Sequence, residues 1–456
     1  MANQQAMQPF SKAWWCGLAI GTVVLTAVVA PRTTTFLMLL VLLLSIADQL
    51  IRPALPRRPA RFEAVFVALA AFAGWGLLSA TWSLAPWHSL LKPAFLVLML
   101  IAVWLALRGI STATRPVTHY LGEGALTAIT IAYLLVAFEI LTDQLITRSL
   151  LTAFPSLYAN ITKHVTVAAD GSVLKISEAN LNRRMTILVW LFWPAIMLAI
   201  HDPNRYRRVV AYVSLGFGAA IIFFYGSHQT SQLALLGGLV VYGFANWFNR
   251  AAVLMAVTGI WSAAVLLAVP IALLVFHANL HQANWLFHSA RHRVVIWGTA
   301  AEEVMRSPVI GIGADATRVA MRKAVSNTVQ AKPKRDLGRF ESGYANHAHN
   351  VYLQVWYELG AIGALLFLSI GLLTLQVIAK LQASAQPAAI SMFVTTSLLI
   401  GFSYSMWQTW FISALGLAIA LFAIALRKRS DQLQEVRDSN PLTEGAAASQ
   451  SVGRKT

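Results

Sequence analysis

A chain of 456 residues that is 57% hydrophobic and only 12% charged, with a mean hydropathy of +0.63, carries more apolar surface than a water-soluble domain of this size tolerates. Its formal net charge of +17 is spread over many loops, with no soluble basic patch interleaved with aromatics, which excludes nucleic acid as a partner. The single cysteine, Cys16, excludes an internal disulfide and any cysteine-built metal site.

A spanning helix needs about 20 mostly apolar residues, and about twelve stretches qualify. They lie near 14–30, 33–51, 64–83, 91–107, 121–142, 185–200, 209–225, 231–248, 252–276, 351–379, 388–405 and 408–426. The expected fold class is an all-α polytopic membrane protein, with a transmembrane domain over 1–426. The first stretch resembles a signal peptide, because Lys12 precedes an apolar run that ends at Ala30. Pro31 follows at once and a second run begins two residues later, so an uncleaved first helix is expected.

Short loops set the orientation. Arg52 to Arg61, Arg108 to Arg115, Arg205 to Arg208, the Arg250 and Lys380 turns and Arg427 to Arg429 are rich in cations. The alternate short loops are poor in them, which predicts both termini in the cytoplasm. Two loops on the opposite, outer side are long, about 143–183 and 277–350. Long loops escape the positive-inside bias, so the many arginines and lysines between Arg291 and Arg339 call for an anionic ligand. Within that loop Ala290 to Arg306 reads as an amphipathic helix, with Val294, Trp297, Ala301 and Val304 on one side. Ser307-Pro308, Gly311 and Gly313 mark a turn, Ala316 to Val325 a second helix and Ser326 to Tyr344 a mobile loop. Together they predict a lid at the membrane surface, its arginines at lipid-phosphate depth.

Asp48, Glu123, Glu139 and Glu358 sit near span ends, and no paired broken helices are evident, which argues against a secondary transporter. The polar run Ser227 to Gln232 is either a helix cap built on Thr230 or Ser231 or the lining of a substrate path. From Gly343 to Phe367 a polar, histidine-bearing mouth leads into a helix starting near Asn350, with Leu353, Trp356 and Gly360 on one stripe and His349 at its solvent end. Gly360 and Gly363 there predict close helix packing. The tail 427–456 has no apolar period and is expected to be disordered.

His349-Asn350, nine residues, then Gly360-x-x-Gly363 resembles a motif of the O-antigen ligase family of bacterial envelope enzymes. Arg293-x3-Trp297, Pro308 and Gly311-x-Gly313 resemble the segment ahead of that histidine, and Asn182-Arg183 a further basic position, in the family's order over 182–363. Arg184 stands where a small residue is expected, leaving open which of the two arginines acts.

The resemblance implies a GT-C-type glycosyltransferase that needs no cofactor, nucleotide sugar or metal and inverts the anomeric centre. Its donor would be a glycan on undecaprenyl diphosphate and its acceptor lipid A-core, outside the inner membrane. His349 would be the general base, with His347 as the second candidate, because imidazole titrates near neutral pH. Arg183, Arg184, Arg293 and Lys92 would hold the diphosphate, since guanidinium forks pair two oxygens and stay ionised. Tyr344, Asn346 and Asn350 would bind sugar or support the helix start. A polymerase on the same donor, a ligase with a protein acceptor, and a carrier-lipid transporter are the alternatives.

Overall fold

The structure, a computed structural model, describes residues 12–51, 63–157, 165–320 and 348–439. The helices are α1 (Lys12–Val29), α2 (Thr34–Ile51), α3 (Glu63–Leu78), α4 (Pro86–Thr112), α5 (Arg115–Leu141), α6 (Leu145–Ala153), α7 (Asn182–Ile200) and α8 (Arg205–Tyr225). They continue as α9 (Gln229–Trp247), α10 (Arg250–Leu266), α11 (Ala268–His277), α12 (His288–Val304), α13 (Val351–Ala379), α14 (Gln386–Phe402) and α15 (Thr409–Ser439). Each apolar stretch expected from the sequence is helical, the one over 252–276 as the pair α10 and α11. Among the described residues seven helices are long and apolar enough to cross a membrane, or eight if α10 and α11, bent by 65°, form one span. The protein is thus a predominantly helical, polytopic membrane protein. It departs from a purely α fold in the loop over 143–183, where β1 (Val165–Val167) and β2 (Val173–Ile176) form an antiparallel hairpin beside α6. Leu151 of α6 covers the buried Val173 and Ile176 of that hairpin.

The bundle is built around α7, whose apolar residues run almost without interruption from Met185 to Ala199 and are nearly all buried. It is flanked by α1, α5, α8, α9, α14 and α15. Two tryptophans that such a core buries need an acceptor for their indole N–H. Trp190 Nε1 donates to Thr396 Oγ1 at 3.0 Å and Trp193 Nε1 to Thr395 Oγ1 at 2.9 Å, both on α14. In hydrocarbon such interhelical bonds fix the rotation of one helix against the next.

The sequence predicts a single span over 351–379, and here the structure differs. Gly360 has φ 65° and ψ −164°, so α13 is two helical segments joined at a break. That backbone region is essentially glycine-only. The break exposes main-chain groups that hydrocarbon cannot solvate, so protein must satisfy them. The loop after α12 does this: Ile312 N donates to Tyr357 O and Gly313 N to Glu358 O, while Ala361 N donates to Pro308 O and Ile362 N to Val309 O. Trp75 Nε1 of α3 takes the carbonyl of Leu359 at 3.0 Å. A Cβ on Gly360 would lie 2.2 Å from Val309 O. The Pro308–Gly313 and Gly360 motifs are therefore two halves of one joint. The bend between α10 and α11 is served similarly, with Trp356 Nε1 donating to Val265 O at 2.7 Å.

The helix expected over Ala290 to Arg306 is present as α12, with Val294, Ala301 and Val304 buried and the helix packed against α11 and α13. One further expectation is corrected. The tail expected to be disordered from Arg427 continues α15 to Ser439. Gln432 Nε2 donates to His201 O at 2.8 Å and Arg115 pairs with Asp438 at 3.0 Å, tying this extension to α7 and α5. The expected second helix is helical over 317–320, and its remainder, the expected mobile loop and the tail over 440–456 lie outside the described residues.

Candidate functional site

His349 stands immediately before the cap of α13. Asn350 is the cap itself: its Oδ1 accepts from Leu353 N at 3.1 Å, so its side chain serves the helix start. His349 has φ 50°, a left-handed conformation uncommon outside glycine. Neighbouring elements hold it there. Trp297 Nε1 of α12 donates to Ala348 O at 2.9 Å, and His349 Nδ1 donates to Ser403 O, just past α14, at 2.8 Å. A carbonyl only accepts, so the Nδ1 proton is fixed and the lone pair lies on Nε2. Burial pushes the imidazole below the ordinary histidine range; the Ser403 bond opposes this in part, and the charges of Arg293 and His292 add to it. At neutral pH the ring is therefore neutral, the form a base requires.

The Arg293-x3-Trp297 spacing now has a physical reading. Four residues apart on α12, the two side chains share a face. Trp297 anchors the main chain before His349 while the charge of Arg293 bears on the imidazole. Burial lowers Arg293 from the ordinary guanidinium value, with no carboxylate among the described residues to offset it.

Arg183 and Arg184 open α7 and diverge. Arg184 Nη1 meets Glu139 Oε2 at 3.4 Å and Thr147 Oγ1 at 3.3 Å, with only 11% of its side chain exposed. Glu139 in turn accepts from Ile146 N at 2.8 Å and Thr147 N at 3.3 Å, capping α6. Arg184 thus joins α5, α6 and α7. Arg183 instead lies over the Trp410 ring, 5.7 Å from its centroid, and its Nε is buried without a hydrogen-bond partner among the described residues.

Tyr404 and His228 bridge the two cation groups. The Tyr404 ring is 4.9 Å from Trp410 and 5.9 Å from His228. His228 feels Arg293 and, mainly through burial, has its pKa lowered to about 4, so it is neutral. Ring contacts therefore lead from Arg183 through Trp410 and Tyr404 to His228, which, like His349, feels the charge of Arg293. Sequence reasoning did not place Tyr404, Trp410 or the Ser403 carbonyl in the site; nothing in the local pattern distinguishes them from other residues at a helix end.

The Ser227–Gln232 run is largely structural. The N-cap position of α9 is His228, not the expected Thr230 or Ser231, and no side chain caps the helix; His228 Nδ1 lies 2.7 Å from Ser231 Oγ, Thr230 Oγ1 donates to Phe402 O at 3.1 Å, and Gln232 Nε2 donates to Gly226 O at 2.6 Å. Lys92 belongs to a separate group. It faces Asp315, which is bonded to His88 Nδ1 at 3.2 Å and lies beside Arg318; burial raises the Asp315 pKa and these cations oppose it. Asp315 N donates to the fully buried Glu358, which also accepts from Thr317, Gln354 and Trp407. Glu358 lies about 12 Å along α13 from Asn350, at ~1.5 Å per residue, so Lys92 and His349 serve different regions. His347, Tyr344 and Asn346 lie outside the described residues.

Residues 214–368, about a third of the chain, match the family model described as O-antigen ligase. A protein of Rickettsia felis named "Putative polysaccharide ligase" is 31% identical over 127 residues, 28% of this chain and 30% of its own length. A Rickettsia bellii protein of the same name is 24% identical over 254 residues, 54% of this chain and 59% of its own. The chain therefore spans between about a third and three-fifths of the length of these relatives.

Proposed function

We propose that this protein, residues 214–368 of which match the O-antigen ligase family model, is a membrane glycosyltransferase of that superfamily that moves a glycan from undecaprenyl diphosphate onto a lipid A-core sugar. The observation that carries this reading is the fixed tautomer of His349, held by Ser403, on an imidazole that feels the charge of Arg293, a cation that like Arg183 has no carboxylate partner among the described residues. His349 Nε2 takes the proton of the acceptor hydroxyl as its oxygen attacks the anomeric carbon. The bond from that carbon to the diphosphate breaks with inversion. Arg183 and Arg293 meet the charge that grows on the departing oxygens, where fixed cations stabilise the transition state most. Arg184 is left out of this step because Glu139 already engages it.

The alternation of cationic and cation-poor short loops supports twelve crossings with both termini in the cytoplasm and the His349 end of the bundle outside the inner membrane. The donor suits that position: its isoprenoid tail stays in lipid while its charge lies at the interface. Purified protein given defined donor and acceptor tests the reading. Wild type should transfer glycan and His349→Ala should lose about 10² to 10⁴-fold, the usual contribution of a positioned base. Equal transfer by the variant removes His349 from the chemistry, and no transfer by wild type with several acceptors returns the case to transport. Gene deletion separates the acceptors. Loss of all glycan-capped lipopolysaccharide with polymer left on the carrier marks a ligase, and capping by one repeat a polymerase.

A further inference from the structure

We propose that Arg32, on the turn between α1 and α2, is a second cation of the leaving-group subsite and grips the pyrophosphate together with Arg183. The inference rests on the donor reading above and adds a residue that neither the motifs nor the matched segment contains.

The turn Pro31–Thr33 is a single 3-10 turn closed by Thr33 N to Ala30 O at 2.9 Å, with Thr34 fully buried behind it. It is pinned on both sides, because it packs against α7 and α15 as well as its own helices. Those two helices carry Arg183 and Trp410 in their first turns. Arg32 is exposed, close enough for its charge to act on Arg183, and neither arginine has a carboxylate partner among the described residues. Other arginines of the molecule are treated differently: Arg184, Arg207, Arg306 and Arg427 each have an acidic side chain within salt-bridge distance. Two like charges brought together on a rigid turn and a helix start, one with a buried Nε that has no acceptor among the described residues, repel each other until an anion sits between them. A diphosphate carries charge on two linked phosphoryl groups and accepts from two guanidinium forks at once. Arg293 and His349, across Tyr404 and His228, are left facing the sugar end of the donor. The same phosphate chemistry occurs in an anionic lipid headgroup, and the experiment has to separate the two.

Full-length protein is reconstituted in bilayers of phosphatidylcholine alone or with phosphatidylglycerol, and binding of undecaprenyl diphosphate is measured for wild type, Arg32→Gln, Arg32→Lys, Arg183→Gln and His349→Ala. The expected result is binding weakened about tenfold to a hundredfold in Arg32→Gln and Arg183→Gln, as for loss of a hydrogen bond to a charged group. Arg32→Lys should be intermediate, His349→Ala unchanged, and the pattern the same in both bilayers. Thermal unfolding equal to wild type shows that Arg32→Gln is folded, and Arg32→Lys keeps the test meaningful if it is not. Wild-type affinity in Arg32→Gln sinks the role of Arg32 alone. A defect confined to phosphatidylglycerol bilayers makes Arg32 a headgroup anchor and overturns the proposal. Wild type that binds no undecaprenyl diphosphate sinks the donor reading and this inference with it.

Discussion

Replacing Arg183 and Arg184 one at a time should give opposite outcomes, although the residues are adjacent and chemically identical. Arg184→Ala strands Glu139, whose side chain is 1% exposed. Removing one partner of a buried ion pair costs ~3–5 kcal/mol. Glu139 keeps the amides of Ile146 and Thr147 as donors, so a loss of about 2–4 kcal/mol is expected here. The α6 cap should loosen with it. The double variant Glu139→Gln, Arg184→Met, with no charge left to strand, should recover most of the stability. Arg183→Ala removes a cation that has no carboxylate partner among the described residues and a contact to Trp410 worth ~0.5–1 kcal/mol, against which the relief of a half-buried charge works in the other direction. Its net stability change should stay within about 1 kcal/mol, while transfer should fall about 10² to 10³-fold, the usual effect of deleting one transition-state charge contact. Thermal unfolding in detergent and steady-state transfer with a defined donor read the two effects separately. Arg184→Ala with wild-type thermal stability and a turnover as low as that of Arg183→Ala would refute the division of labour.

Three further outcomes follow from the geometry. Because burial, Arg293 and His292 hold His349 below the ordinary histidine range, the neutral base persists as pH falls through ~6.5; the acid limb of kcat/KM should have its midpoint below that value, and one above it contradicts the environment described. Gly360→Ala forces a side chain into a glycine-only backbone region at a cost of ~1–3 kcal/mol and against Val309 O, so the variant should show a lower thermal midpoint and faster proteolysis between Ser307 and Asp315. Trp297→Phe keeps the ring beside Phe402 but leaves the buried Ala348 carbonyl without its indole donor; at ~1–3 kcal/mol for such a group, kcat should fall about tenfold or more with donor KM little changed, whereas unchanged kcat would mean that Ser403 alone positions His349.

Hydropathy alone located the helices, because a backbone in hydrocarbon must close its hydrogen bonds within the segment and the side chains facing lipid must be apolar. The helix start after His349 was equally legible, since an asparagine at its cap is a residue type dictated by local backbone geometry, whereas at Gly360 the sequence pattern predicts close packing and not a break. Long-range partners were not. That Arg184 pairs with Glu139, 45 positions away, while Arg183 rests on Trp410, depends on how α5, α7 and α15 are rotated against one another. The same holds for the carbonyl of Ser403, 54 positions from His349, which any residue type would supply. The break at Gly360 joins both kinds of information: glycine permits the conformation, but only the packed loop over 308–313 makes it the lower-energy state, by satisfying the main-chain groups that the break exposes.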